Sequence, residues 1–176
     1  MCRLIVFLLL SAHFIRAGEF IRPDIRDALF THERTALLAI ECERIANNIV
    51  RHAIARHSAG ILRKEDASIR EGRRLLALAL HLHPANPAAI ATGLAWLDGK
   101  EPFPLPEMET PAVFSAFLLA AASRQSAKAA PDRHPLPAFL ILLAADVDPA
   151  NADAVYLAER MAATHNAPQW KLLLTE

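Results

Sequence analysis

Eight histidines, two tryptophans and several clustered charges are the side chains here whose chemistry could exceed solubility. His81 and His83 flank one residue, so on a helix they point about 200° apart and cannot grip one metal from one face. His52 and His57, five positions apart, are also poorly spaced. None of the histidines forms a His-x-x-x-His pair with a carboxylate at the offset of metal-dependent hydrolysis. The sequence predicts no metal and no cofactor, and places the histidines near helix ends or on partly exposed faces. Glu33, Glu41 and Glu43 could do acid–base work if their environments differed. Arg34 and Arg44 lie beside them, and the run reads as a solvated helix face. No phosphate-cradling glycine loop or nucleophile elbow occurs, and Ser123 and Ser126 lack a nearby base. No catalytic residue is expected and the chain reads as a non-enzyme. What remains is binding: Arg63, Lys64, Arg73 and Arg74 form a basic cluster able to accept an acidic peptide terminus. Trp96 is the aromatic placed to anchor a partner, since Trp is enriched in interface hot spots; ordinary packing is its other reading, as for Trp170.

Bulk composition limits the partners. The 19 basic and 19 acidic residues cancel, so no bulk field draws the chain to nucleic acid or to an anionic membrane. The N-terminus is the one route to a membrane. In "MCRLIVFLLLSAHFIRAGEF", Arg3 precedes an apolar run from Leu4 to Ile15, and small residues follow near Ala17. That is the anatomy of a signal peptide over residues 1–17, too short for a comfortable span of about 20 apolar residues. An uncleaved anchor and a buried N-terminal helix are the alternatives. Residues 18–30 read as a linker and 31–176 as one domain, exported to a periplasm or secreted. Cleavage would remove Cys2 and leave Cys42 as a free thiol packed like a small apolar residue.

The elements that must position these side chains are helices. Apolar residues make up 53%, largely Ala and Leu, with only 5 Gly and 12 Pro that fall between the apolar runs, the pattern of helices punctuated by proline. Thr31 is placed to cap a helix over residues 32–58, whose stripe runs Leu38, Cys42, Ile45, Ile49 and Ala53, with Gly60 as its stop. Ser68 and Glu71 have capping-box spacing for a second helix ending at Pro84. Asn86 with Pro87 starts a third, over 87–98. Thr110 with Pro111 starts a fourth, over 111–129, whose first half is apolar all round and predicted to be buried on most sides. Short helices over 137–147 and from Asn151 to Thr164 complete the set, with a last turn in "WKLLLTE". No segment alternates with period two. The predicted class is all-α, built of antiparallel helix pairs.

One punctuation mark is written twice: Pro84-Ala85-Asn86 and Pro149-Ala150-Asn151. Proline ends a helix, and asparagine two residues later caps the next. At these joints the chain resembles the tetratricopeptide-repeat family, whose second helix ends in Ala, Leu, an apolar residue, Pro, any residue and Asn. Ala79, Leu80, Leu82, Pro84 and Asn86 match in the first copy, with Leu76 and Gly60 further back, and Ala144, Val147, Pro149 and Asn151 match in the second. Arg56 and Arg63 stand where the family has aromatics, and Gly72 stands in place of its small Ala. The copies lie 65 residues apart (84 to 149), close to twice the family's period of about 34. Three predicted helices fall between them, where two strict helix pairs would need four. The resemblance implies a right-handed solenoid fragment, with a compact helical bundle as the alternative. It also implies an exported, non-catalytic scaffold whose concave face takes a peptide or partner protein. A small bundle enzyme or ligand-binding protein, and a membrane-tethered accessory protein, are the competing readings.

Overall fold

The computed structural model describes residues 27–103, 105, 109–128, 135–164 and 168–174. These form six α-helices and no strand: α1 (Ala39–Arg63), α2 (Asp66–Leu82), α3 (Pro87–Leu97), α4 (Pro111–Lys128), α5 (Leu136–Val147) and α6 (Ala152–Ala163), with a short 3₁₀ helix at Trp170–Leu173. The all-α class and the packed helix pairs expected from the sequence are both present: α1 lies against α2, α4 against α5, and α5 against α6. The predicted signal segment, Cys2 and most of the predicted linker lie outside the described residues. No described helix is long and apolar enough to cross a membrane.

The two Pro-Ala-Asn joints have the same structure. After α2, His83 leaves the helix at φ −143°, and Asn86 caps α3 at φ −61°. After α5, Asp148 leaves at φ −134°, and Asn151 caps α6 at φ −76°. Each Asn side-chain oxygen accepts from a first-turn amide, Ala89 N–H at 2.9 Å and Ala154 N–H at 3.2 Å. Each Asn amide then donates backward to the helix two elements earlier: Asn86 to Asn47 on α1 at 2.7 Å, and Asn151 to Ser115 on α4 at 2.9 Å. The asparagine is therefore a cap and a tether at once. Three helices separate the joints, and the described residues form two units of three helices, α1–α3 and α4–α6, each with an Asn cap of the same kind on its last helix. We expect Asn86→Ala and Asn151→Ala to cost about 1 to 2 kcal/mol each in urea unfolding. Asn86 should be the more sensitive, being fully buried. Aspartate at either position should retain the cap and lose the tether, giving a smaller loss.

Several boundaries differ from expectation, each for a local reason. The first helix begins at Ala39, seven residues after the predicted start, because the Glu41 carboxylate accepts from the Leu38 N–H at 3.0 Å and caps there instead. Thr31 is buried in an irregular turn, where its carbonyl accepts from the Arg34 N–H. Gly60 does not stop α1. The left-handed position belongs to Lys64 at φ 57°, and the Glu65 and Lys64 N–H groups return to Gly60 and Ile61 carbonyls at 2.8 and 3.2 Å, the six-to-one and five-to-two bonds of a helix C-terminal motif. Ser68 does not cap α2 either. Glu65 is the residue before the helix, and the Ser68 hydroxyl donates to the Glu65 carboxylate at 3.1 Å.

Gly60 and Gly72 serve instead where α1 crosses α2. A Cβ on Gly72 would sit 2.8 Å from the Ala53 carbonyl oxygen and from His57 Cβ; one on Gly60 would meet Ile69 at 2.8 Å. The small residues let two long helices touch backbone to side chain.

The core is continuous across both units. Phe30, from the end of the predicted linker, is buried with its ring 5.8 Å from Phe139 of α5, and Phe139 meets Trp170 at 4.8 Å. Ala28 and Phe30, at the end of the predicted linker, are packed against the domain because they have apolar surface to bury. On α4 the inward stripe is Phe114, Ser115, Leu118, Ala121, Ala122 and Gln125, while Val113 is exposed. The expectation of burial on most sides fails there because α4 offers one face to α5, and two polar residues occupy it.

Candidate functional site

The long helix α1 is the hub, and its faces do different work. One face puts Ile45, Ile49 and Ala53 in the core, with the Ala53 backbone against Gly72 of α2. A second faces the other unit with charge. The His52 Nε2 lies 2.5 Å from an Asp146 carboxylate oxygen on α5, Arg56 donates to the other Asp146 oxygen, and Arg56 Nε stands 4.0 Å from Glu71. Burial alone would raise the Asp146 pKa. The hydrogen bond and charge of His52 and the Arg56 guanidinium outweigh it and hold the carboxyl below its ordinary range. Glu41 pairs with Arg124 of α4. Arg44 makes a two-pronged bridge to Glu109 at 2.6 and 2.9 Å and lies 4.0 Å over the Phe117 ring. Glu41 and Arg44 therefore join units rather than forming a solvated run with each other. Apart from Arg56–Glu71 within the α1–α2 pair, these pairs span 65 to 94 residues of sequence.

A third face of α1 is a shallow open groove of about 390 Å³, lined by Ile40, Glu43, Arg44, Asn47, Asn48, Arg51 and Glu109. Asn47 ties one edge to the joint before α3, and Arg44 ties the other to the segment before α4. The only sequence signal for it is the recurrence of polar residues at 43, 44, 47, 48 and 51 at helical spacing.

The candidate partner-binding residues divide between two places. Arg63 and Lys64 are exposed where α1 turns into α2. Arg74 is exposed on α2, while Arg73 is half-buried and close enough to His57 for its charge to act on that ring. Trp96 is half-buried on α3 and stacks on His57, ring centroids 4.1 Å apart at 15°. Its indole nitrogen is buried with no hydrogen-bond partner. The structure thus brings Trp96, His57 and Arg73 together and sets Arg63 and Lys64 at the hairpin tip. Exposed aliphatics lie on the same helices: Leu97 follows Trp96 on α3, and Ile61 stands one turn beyond His57 on α1, whereas Leu94 points about 200° from Trp96.

Two histidines are buried: His57, and His81, which sits near the end of α2 as expected. His81 accepts from the Leu29 N–H at Nδ1, 3.3 Å, and donates from Nε2 to the Leu173 carbonyl, 3.2 Å. It clamps the segment before α1 and the C-terminal 3₁₀ helix onto α2, in the neutral tautomer protonated at Nε2. Desolvation by burial lowers the pKa of both rings; the Arg73 charge adds to this at His57, and the Leu173 carbonyl opposes it at His81. A base whose folded pKa is depressed binds protons more readily when unfolded, so its stability contribution is complete above the ordinary imidazole value, about 6.5, and is lost as pH falls below it. We expect thermal stability to decline from pH 7.5 to 5, by at most about 1.4 kcal/mol per pH unit for each ring. His57→Phe, which keeps a ring against Trp96, should flatten that decline in melts recorded across the range.

Cys42 is a buried free thiol, its pKa pushed up to about 11 chiefly by desolvation, which makes it inert packing. Among the described residues no group of three or more His, Cys, Asp or Glu converges as a metal site would need. Comparison of the chain with protein-family models, with curated proteins and with solved structures finds no match.

Proposed function

We propose that this chain is an exported, non-catalytic scaffold that binds a protein or peptide partner, and that the surface around Trp96 is where it does so. One observation carries the reading. A partly exposed tryptophan, fixed by stacking on His57, has the exposed Leu97 next to it on α3, the exposed Ile61 one turn beyond His57 on α1, and the Arg73 guanidinium near His57. Aromatic anchor, aliphatic surround and arginine are the composition of an interface centre. The ring costs little entropy to engage, because His57 already holds it. Arg63, Lys64 and Arg74 would supply a basic rim toward an acidic partner, acting on association rate more than on affinity.

The repeated Asn joints support a scaffold of tetratricopeptide-like helical repeats, since each locks a helix pair to the helix that follows. Export rests on the N-terminal apolar run. Pull-down from the native cell envelope tests the reading: wild type should recover a reproducible partner that Trp96→Ala and Arg73→Ala each reduce at least about tenfold. Equal recovery by wild type and both variants would contradict it.

A further inference from the structure

His81 holds two distant segments on α2, and its two ring nitrogens cannot both keep their partners in acid. Nδ1 faces the Leu29 N–H at 3.3 Å, so it must offer a lone pair. Nε2 faces the Leu173 carbonyl at 3.2 Å, so it must carry a proton. Only the neutral ring protonated at Nε2 satisfies both. A second proton, on Nδ1, points at the Leu29 N–H, donor against donor. The same positive charge strengthens the bond from Nε2 to Leu173. Acid therefore breaks one side of the clamp and spares the other.

The surroundings give a charged ring no relief. His81 is 7% exposed, with the Phe30 ring 6.2 Å away. Asp27 and Lys171 are the charged residues of the two segments it holds; both are exposed, and burial with the opposing Leu173 carbonyl accounts for its titration. On α1 the ionisable group facing the segment is the Cys42 thiol, neutral throughout with its pKa pushed up to about 11. On α2 itself His83 points about 200° away. Residues 27–30 form no helix. They are held by the Leu29 bond, by the Phe30 N–H on the His81 carbonyl at 3.1 Å, and by the buried Ala28 and Phe30 side chains. Such a segment opens more readily than the helices beneath it. We propose that His81 is an acid-operated catch: its protonation releases residues 27–30 from the domain and leaves the 3₁₀ helix Trp170–Leu173 docked. Release withdraws Phe30 from the Phe139 ring on α5 and its carbonyl from the Cys42 thiol on α1. The catch is independent of the Trp96 surface, and either can fail without the other.

Hydrogen–deuterium exchange of the full chain between pH 7.5 and 5, corrected for the intrinsic pH dependence of exchange, tests it. In the released state His81 titrates at the ordinary imidazole value, about 6.5. The released population therefore grows as pH falls below that value, by up to about tenfold per pH unit. Protection of the Leu29 and Phe30 amides should fall at least about fivefold by pH 5. Protection of the Leu172 and Leu174 amides, bonded within the 3₁₀ turn, should stay constant, as should that of α4. His81→Gln, which cannot titrate, should hold residues 27–30 equally at every pH. Constant protection of Leu29 and Phe30 down to pH 5 would overturn the inference. So would the two terminal segments loosening together, or a His81→Gln variant with wild-type pH dependence. The contrast between the two segments in wild type decides the matter whether or not His81→Gln folds.

Discussion

Phe139→Ala is expected to cost about 3–5 kcal/mol, the range for deleting a buried aromatic ring. The ring is fully buried and touches Phe30 and Trp170. It therefore joins three stretches that are far apart in sequence: the segment before α1, helix α5 and the C-terminal 3₁₀ helix. Its loss leaves a cavity that backbone on three sides cannot close together, so the cost should lie toward the upper end. Against a total stability of about 5–15 kcal/mol, this brings the domain close to unfolding at physiological temperature. Urea denaturation should show a lower midpoint at unchanged slope. A loss below about 1 kcal/mol would mean that the terminal segments do not pack on α5.

Gly72→Ala is the second case, and its sign is what matters. In an exposed helix interior, replacing Gly by Ala stabilises by about 0.5–1 kcal/mol. Here the new methyl would sit 2.8 Å from the Ala53 carbonyl oxygen, and that atom belongs to the backbone of α1. Neither helix can yield without shifting the α1–α2 pair, so we expect a loss of about 1–3 kcal/mol. Gly60→Ala should behave alike, since Ile69 Cγ1 and backbone nitrogen both stand 2.8 Å from its Cβ position. Thermal melts of the two variants against wild type decide the matter. A rise in melting temperature for both would show that the helices cross further apart.

Helix identity was legible in the sequence because periodicity and proline are local signals. The starts of α3, α4 and α6 were placed by Asn86-Pro87, Thr110-Pro111 and Asn151, and the cap bonds of Asn86 and Asn151 are those the sequence implied. The α1–α2 turn was not legible. Gly60 resembles a helix stop in sequence, yet it answers to Ile69 across the crossing, and Lys64 takes the left-handed position that glycine usually fills. The joint between the units was hidden for a different reason. Asp146 carries no local mark that it will meet His52 and Arg56, and Glu109 sits in a proline-rich loop 65 residues from Arg44. Such pairs exist only once the chain has folded. The groove escaped notice in the same way, since Glu109 forms part of its lining.

The polar character of the joint has a consequence for the fold. Charged pairs half-open to solvent contribute little net stability, whereas their geometry fixes how the units sit. The Phe30–Phe139–Trp170 contacts supply the cohesion, and Asp146, Glu109 and Glu41 supply the register.

The claim that this surface binds a partner is tested most directly in living cells of the native host. A photoreactive amino acid placed at Ile61 or Leu97, flanking the His57–Trp96 stack, and at Tyr156 on α6 as a control, reports what touches each position. All three side chains are exposed. A discrete adduct from positions 61 and 97, absent from 156 and lost when Trp96 is also replaced by alanine, is the predicted result. Adducts that form equally from 156, or that persist without the tryptophan, would contradict it.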